Sequence, residues 1–137
     1  MTMVQIQWQH LLNHSICGDL TAELPLRIGR SPHNHLVLID RLKSISRHHA
    51  TLLQEQGQIV LRDEQSMNGV VVNGRHRTQT LITENLTFII GAYELTVTIQ
   101  QQCSNPACSR MIASHQAMCP WCGRFTAVAI TREGVLG

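Results

Sequence analysis

Up to about residue 100, helical periodicity is hard to find anywhere along the chain. What recurs is short apolar segments with period two, broken by Gly, Pro, Asn and Asp at intervals of roughly eight to twelve residues. That rhythm restricts the fold to an all-β sandwich or barrel. Val4, Ile6 and Trp8 alternate with Gln5 and Gln7, which predicts a strand with one buried face. Leu24, Leu26 and Ile28 alternate with Pro25 and Arg27 and run into Gly29-Arg30. Leu36 to Ile39 is a short apolar run ended by Asp40. Ala50 to Leu53 and Ile59 to Leu61 flank Glu55-Gln56-Gly57-Gln58, a hairpin turn. Val70-Val71-Val72 leads into Asn73-Gly74, the dipeptide favoured where both turn residues need positive φ. Phe88 to Gly91 and Tyr93 to Ile99 read as a last hairpin.

The chain has 137 residues, 43% of them apolar, enough for one core of about 100 residues and an appendage too small to bury its own. Charged residues make up only 15% and the net charge is +2, so there is no polybasic arm and nucleic acid is disfavoured as a partner. No apolar run approaches the roughly 18–20 residues of a membrane helix, so no membrane role is expected. The N-terminal residues lack a secretory pattern. The expected location is cytoplasmic.

Three loops hold the informative polar residues: Gly29-Arg30-Ser31-Pro32, Ser46-Arg47-His48-His49 and Ser66-Met67-Asn68-Gly69. Loops at one end of a sandwich converge even when they are distant in sequence. Convergence here brings together two guanidiniums, a hydroxyl, an amide and glycine backbone. That set matches a phosphate monoester, with its near-double negative charge and three acceptor oxygens.

At these residues the sequence resembles the forkhead-associated (FHA) family. The family pattern is Gly-Arg, Ser-x-x-His, Asn-Gly and a second Asn-Gly. Here these are Gly29-Arg30, Ser46-x-x-His49, Asn68-Gly69 and Asn73-Gly74, and the likeness extends over residues 3–99. The resemblance implies an eleven-stranded FHA-type β-sandwich whose apical loops bind a phosphothreonine peptide. Arg30 and Ser46 would then hold the phosphate oxygens, Arg47 would assist, and Asn68 would hydrogen-bond the peptide main chain. His49 would brace the serine loop from inside, and Gly29 and Gly69 would permit the tight backbone. The sequence departs from the family at Met67, where Thr or Ser often supplies another phosphate donor; a thioether cannot donate.

Other readings of these residues carry less. His48 and His49 are adjacent, so a strand would point them to opposite faces and one metal would not take both. Ser46 sits in no Gly-x-Ser-x-Gly elbow and no evident carboxylate completes a triad, so the chain reads as non-catalytic. Asn73-Gly74 reads as a turn alone.

Four of the five cysteines follow in the pattern Cys103-x4-Cys108-x10-Cys119-x2-Cys122, and Cys17 stands apart as an incidental thiol. Four soft ligands in two pairs suit a tetrahedral structural zinc, and Cys119-Pro120-Trp121-Cys122-Gly123 resembles a zinc-ribbon knuckle. A rubredoxin-like iron site uses the same ligand set, but nothing else points to electron transfer. Composition changes at Gln100-Gln101-Gln102, read as a short linker between an FHA domain over residues 1–100 and a zinc-ribbon-like segment over residues 101–137. The expected function is that of an adaptor. A Ser/Thr kinase phosphorylates a partner, the sandwich binds its phosphothreonine, and the ribbon docks a second component. The alternatives are a phosphate-independent FHA scaffold and a zinc-ribbon nucleic-acid factor.

Overall fold

The computed structural model of the chain describes residues 2–102, 105, 107–108, 110–113 and 118–123. The described residues form no helix. Eleven strands precede residue 103: β1 Met3–His10, β2 Cys17–Glu23, β3 Leu26–Gly29, β4 Leu36–Val37, β5 Ala50–Glu55, β6 Gln58–Asp63, β7 Val70–Val72, β8 Arg75–Arg77, β9 Gln79–Ile82, β10 Asn85–Ile90 and β11 Tyr93–Gln102. A further strand, β12, spans Met111–Ala113.

Two sheets face each other. The larger runs β2-β1-β11-β10-β7-β8, with β12 added on β11; the smaller runs β4-β3-β5-β6-β9. The all-β sandwich expected from the period-two pattern is therefore what forms. Pairing is antiparallel except for β3 with β4. Register follows burial. Ile6 lies opposite Val97, Phe88 opposite Leu95 and Leu52 opposite Leu61, and all six side chains are buried. Along β11 the buried residues Tyr93, Leu95 and Val97 alternate with Glu94, Thr96 and Thr98. A one-residue slip would turn this apolar set to solvent, so the core fixes the register. The side chains between the sheets form one continuous apolar cluster that includes Val4, Ile28, Ile45 and Ile90.

The expected turns are present. Gln56 and Gly57 have φ of 50° and 78°, and Asn73 and Gly74 have 52° and 77°, the paired positive values of the tight hairpins β5–β6 and β7–β8. The glutamines read as a linker do not leave the sheet. Gln100, Gln101 and Gln102 extend β11 and pair with Ala113, Ile112 and Met111 of β12. The cysteine segment thus continues from the sandwich by backbone pairing.

Candidate phosphopeptide site

β3 ends at Gly29, and the next residues are laced to the serine loop by main-chain bonds. Arg30 N–H donates to the Ser46 carbonyl at 3.1 Å and Ser31 N–H to the Arg47 carbonyl at 3.1 Å. That approach requires glycine at 29, because a Cβ there would lie 2.2 Å from the Arg47 carbonyl oxygen and 2.8 Å from Asn34 Nδ2. The two loops expected to share a phosphate are joined at their roots.

Arg30 is half-buried, and its Nε donates to the Ile45 carbonyl at 3.1 Å. This bond fixes the guanidinium while using only one of its donors, leaving those on the terminal nitrogens for an anion. Ser46 Oγ accepts the Met67 N–H at 2.9 Å. A hydroxyl that accepts from the backbone keeps its own O–H to donate. Asn68 is exposed and is held by a bond from Nδ2 to the Ser44 carbonyl at 2.8 Å. Its amide oxygen and second N–H retain the donor–acceptor pair that matches a peptide backbone. Arg30 and Asn68, from different loops, are therefore tethered to the adjacent carbonyls of residues 45 and 44. Arg47 is exposed beside them.

Behind these groups lies His49, with no exposed surface. Its Nδ1 accepts the Ser46 N–H at 3.1 Å, so the ring proton resides on Nε2, which donates to the Gly69 carbonyl at 2.7 Å. Burial lowers the His49 pKa below the usual 6.5, against an opposing contribution from the Gly69 carbonyl. The ring is neutral at pH 7 and joins the serine loop to the Asn68-Gly69 loop.

Two braces escaped the sequence reading. Asn34 is buried, and its Nδ2 donates to the carbonyls of Arg47 at 2.6 Å and Ser31 at 2.9 Å. Its Oδ1 accepts from His48 Nδ1 at 3.2 Å, so His48 is committed to loop structure. Asp40 accepts the Ile45 N–H at 2.5 Å and the Ser44 hydroxyl at 3.1 Å. Burial acts to raise the Asp40 pKa, but bonds from Ile45, Ser44 and Leu42 together hold it below the usual carboxylate value. The only signal in the sequence for Asp40 is an Asp four residues before Ser44, a spacing shared by many solvated loops.

The second cluster is of sulfur. Cys108, Cys119 and Cys122 bring their Sγ atoms within 4.8 Å of one another, with Cys108 and Cys119 at 3.7 Å. Bonds of about 2.3 Å to a tetrahedral zinc would place sulfurs about 3.8 Å apart, so the spacing fits a thiolate-bound metal. Gly123 N–H donates to the Cys119 carbonyl at 2.9 Å, closing the knuckle. Cys103, the fourth expected ligand, lies outside the described residues. Cys17 is exposed on β2, apart from this cluster.

Residues 26–91 match the family model of the FHA domain. These residues form an FHA domain. A relative in Mycobacterium tuberculosis, the ABC transporter ATP-binding/permease protein Rv1747, is 41% identical over 81 residues, covering 57% of this chain and 9% of the transporter. The chain thus spans a small part of that relative's length. Among solved structures, Rv1747 FHA-1 from M. tuberculosis superposes with a TM-score of 0.58 at 22% identity, covering 72% of this chain and 96% of that domain. EmbR from M. tuberculosis, solved in complex with a low-affinity phosphopeptide, superposes with a TM-score of 0.54 at 26% identity, covering 69% of this chain and 24% of EmbR. FHA domains are typically non-catalytic interaction modules, and their homologues bind phosphothreonine peptides in signalling. No helix among the described residues is long and apolar enough to cross a membrane.

Proposed function

We propose that this FHA domain binds a phosphothreonine-containing protein, the substrate of a Ser/Thr kinase, and serves as a non-catalytic cytoplasmic adaptor in signalling or complex assembly. The observation that carries the reading is the tethering of Arg30 beside Ser46. The Arg30–Ser46 main-chain bond fixes their separation, and each side chain keeps donors that its structural bond does not use. Arg30 and Ser46 take the phosphate oxygens, Arg47 adds a second guanidinium, and Asn68 pairs with the peptide backbone. The neutral, buried His49 holds two of these loops in place without adding charge. Recognition of phosphorylated motifs by cationic side chains is a recurring mode of peptide binding.

The segment from residue 101 forms a zinc ribbon in this reading, with Cys103, Cys108, Cys119 and Cys122 as ligands. Zinc would supply its fold, since Ile112 and Cys119 are the buried residues of its small cluster. The sandwich over residues 1–100 reads phosphothreonine and the ribbon docks a second component.

Met67 favours a second reading. Its side chain is 81% exposed at the rim of the site and cannot donate to phosphate, which would suit a phosphate-independent scaffold. Titration with a phosphothreonine peptide library and its unphosphorylated counterparts decides between them. The adaptor binds only the former, and the scaffold does not distinguish the two.

A further inference from the structure

The three described cysteines of the metal cluster differ in exposure although their sulfurs lie together. Cys119 is 1% exposed, Cys108 is half-buried and Cys122 is exposed, with all three Sγ atoms within 4.8 Å of one another. Structural cysteines that are buried are inert. Cys119 fits that description and Cys122 does not. A pocket of about 280 Å³ opens beside the cluster. Cys108 and Cys122 line it, together with Asn105, Ala107, Arg110 and Trp121, and Cys119 takes no part in its wall. Arg110 is stacked over Trp121, its Cζ 4.5 Å from the ring centroid, so one wall is cationic.

A metal-bound cysteine is held as thiolate, the nucleophilic form of the sulfur. Thiolates that react with peroxides are those that solvent reaches and that stand beside a second cysteine able to resolve the product. Cys122 is the most accessible of the three, and Cys108 shares its pocket. We propose that Cys122 is an oxidation site: hydrogen peroxide enters this pocket and oxidises Cys122, and Cys108 resolves the product, which opens the zinc site. The Cys122 thiolate attacks one peroxide oxygen, the O–O bond breaks, hydroxide leaves and the sulfur becomes a sulfenic acid. The Cys108 thiolate then attacks that sulfur, expels a second hydroxide and closes a disulfide. Two electrons pass from the two sulfurs to the peroxide, and the buffer protonates both hydroxides. A disulfide of about 2.05 Å requires the sulfurs to approach by no more than about 2.8 Å. Zinc loses two of its four thiolates and leaves, and the segment loses the metal that folds it. The inference rests on the zinc reading above and adds the condition under which that segment releases its docked component.

The test uses the full chain prepared with zinc supplied, its metal content measured before hydrogen peroxide is added. Zinc release is followed with a chromophoric chelator, sulfenic acid is trapped with dimedone, and disulfides are mapped by peptide mass. The first dimedone adduct is expected on Cys122, followed by a Cys108–Cys122 disulfide. Zinc should be lost in step with that disulfide while Cys119 stays reduced, and dithiothreitol with added zinc should restore the metal. Cys17→Ser should release zinc at the parent's rate, because Cys17 is exposed on β2, apart from the cluster. The proposal is overturned if another cysteine is trapped first, if the disulfide joins any other pair, or if zinc stays bound once Cys122 is oxidised. It is also overturned if Cys122 stays reduced in peroxide, or if Cys17→Ser prevents release. Absence of zinc before oxidation overturns the zinc reading by itself, while the trapped and mapped cysteines still report the order of oxidation at the sulfurs.

Discussion

The Nε2 of His49 donates to the carbonyl of Gly69 at 2.7 Å, while Nδ1 of the same ring accepts from the backbone of Ser46. One buried imidazole thus satisfies groups on two of the three binding loops. His49→Ala orphans both groups and is expected to cost about 1–3 kcal/mol for each, read by chemical denaturation. The pH dependence has a definite sign. The unfolded chain takes up a proton at His49 near pH 6.5, whereas the folded chain does so only at lower pH. Stability should therefore fall as pH drops below 6.5 towards the lowered value, and His49 should contribute no slope above it. Thermal midpoints between pH 7.5 and 5 check this, because His49→Gln removes the titrating group and should flatten the profile. Equal slopes in the two proteins would show that His49 is not the group responsible.

Gly29→Ala should damage fold and site together. Its Cβ would meet main chain at Arg47, not a flexible side-chain tip, so the arginine and serine loops must separate. The expected loss is about 1–3 kcal/mol in denaturation, the usual cost of overpacking, together with loss of phosphopeptide binding. Unchanged stability would mean that the loops are not laced as described.

Met67→Thr should strengthen the site. The backbone N–H of residue 67 already bonds Ser46 Oγ, so a hydroxyl at 67 starts beside the proposed phosphate position. Phosphopeptide affinity is expected to rise by up to about tenfold, the order of one added hydrogen bond. An unchanged affinity would mean that residue 67 does not face the phosphate, or that Arg47 already saturates it.

The strands legible in the sequence are those with one face in the core. Val4 and Ile6 in β1 and Leu95 and Val97 in β11 are fully buried, and their alternation was plain. β2, β8 and β9 are not legible as strands, because no residue of β2 or β8 is buried and β9 buries Ile82 alone, which leaves period two little to act on. The polar residues of the three loops were legible because Gly29-Arg30, Ser46-x-x-His49 and Asn68-Gly69 form an ordered set. Asn34 and Asp40 were not, because their roles exist only through tertiary contact. Asn34 braces a carbonyl thirteen residues away, and an isolated Asn in a turn carries no sign of that. The glutamines at 100–102 looked like a linker because polar composition does not reveal a backbone partner, and β12 supplies one.

The purified chain is expected to contain one zinc held by Cys103, Cys108, Cys119 and Cys122. Cys119→Ser should lose the metal and Cys17→Ser should keep it, by elemental analysis. Chelation should abolish the folded cluster around Ile112 and Cys119 and, with it, hydrogen-exchange protection at β12, while the sandwich survives. Metal-free protein from zinc-supplemented, reducing preparation would discard the ribbon.

Calorimetric titration of one phosphothreonine peptide into the parent protein and into Arg30→Ala shows whether the Arg30 loop reads phosphate. A charge-assisted contact worth roughly 1.5–3 kcal/mol corresponds to a loss of about ten- to a hundredfold. The parent is expected to bind the phosphorylated peptide and not its unphosphorylated form, and Arg30→Ala to remain folded but lose at least tenfold in affinity. Equal affinity of parent and variant, or of the two peptides for the parent, would contradict that reading.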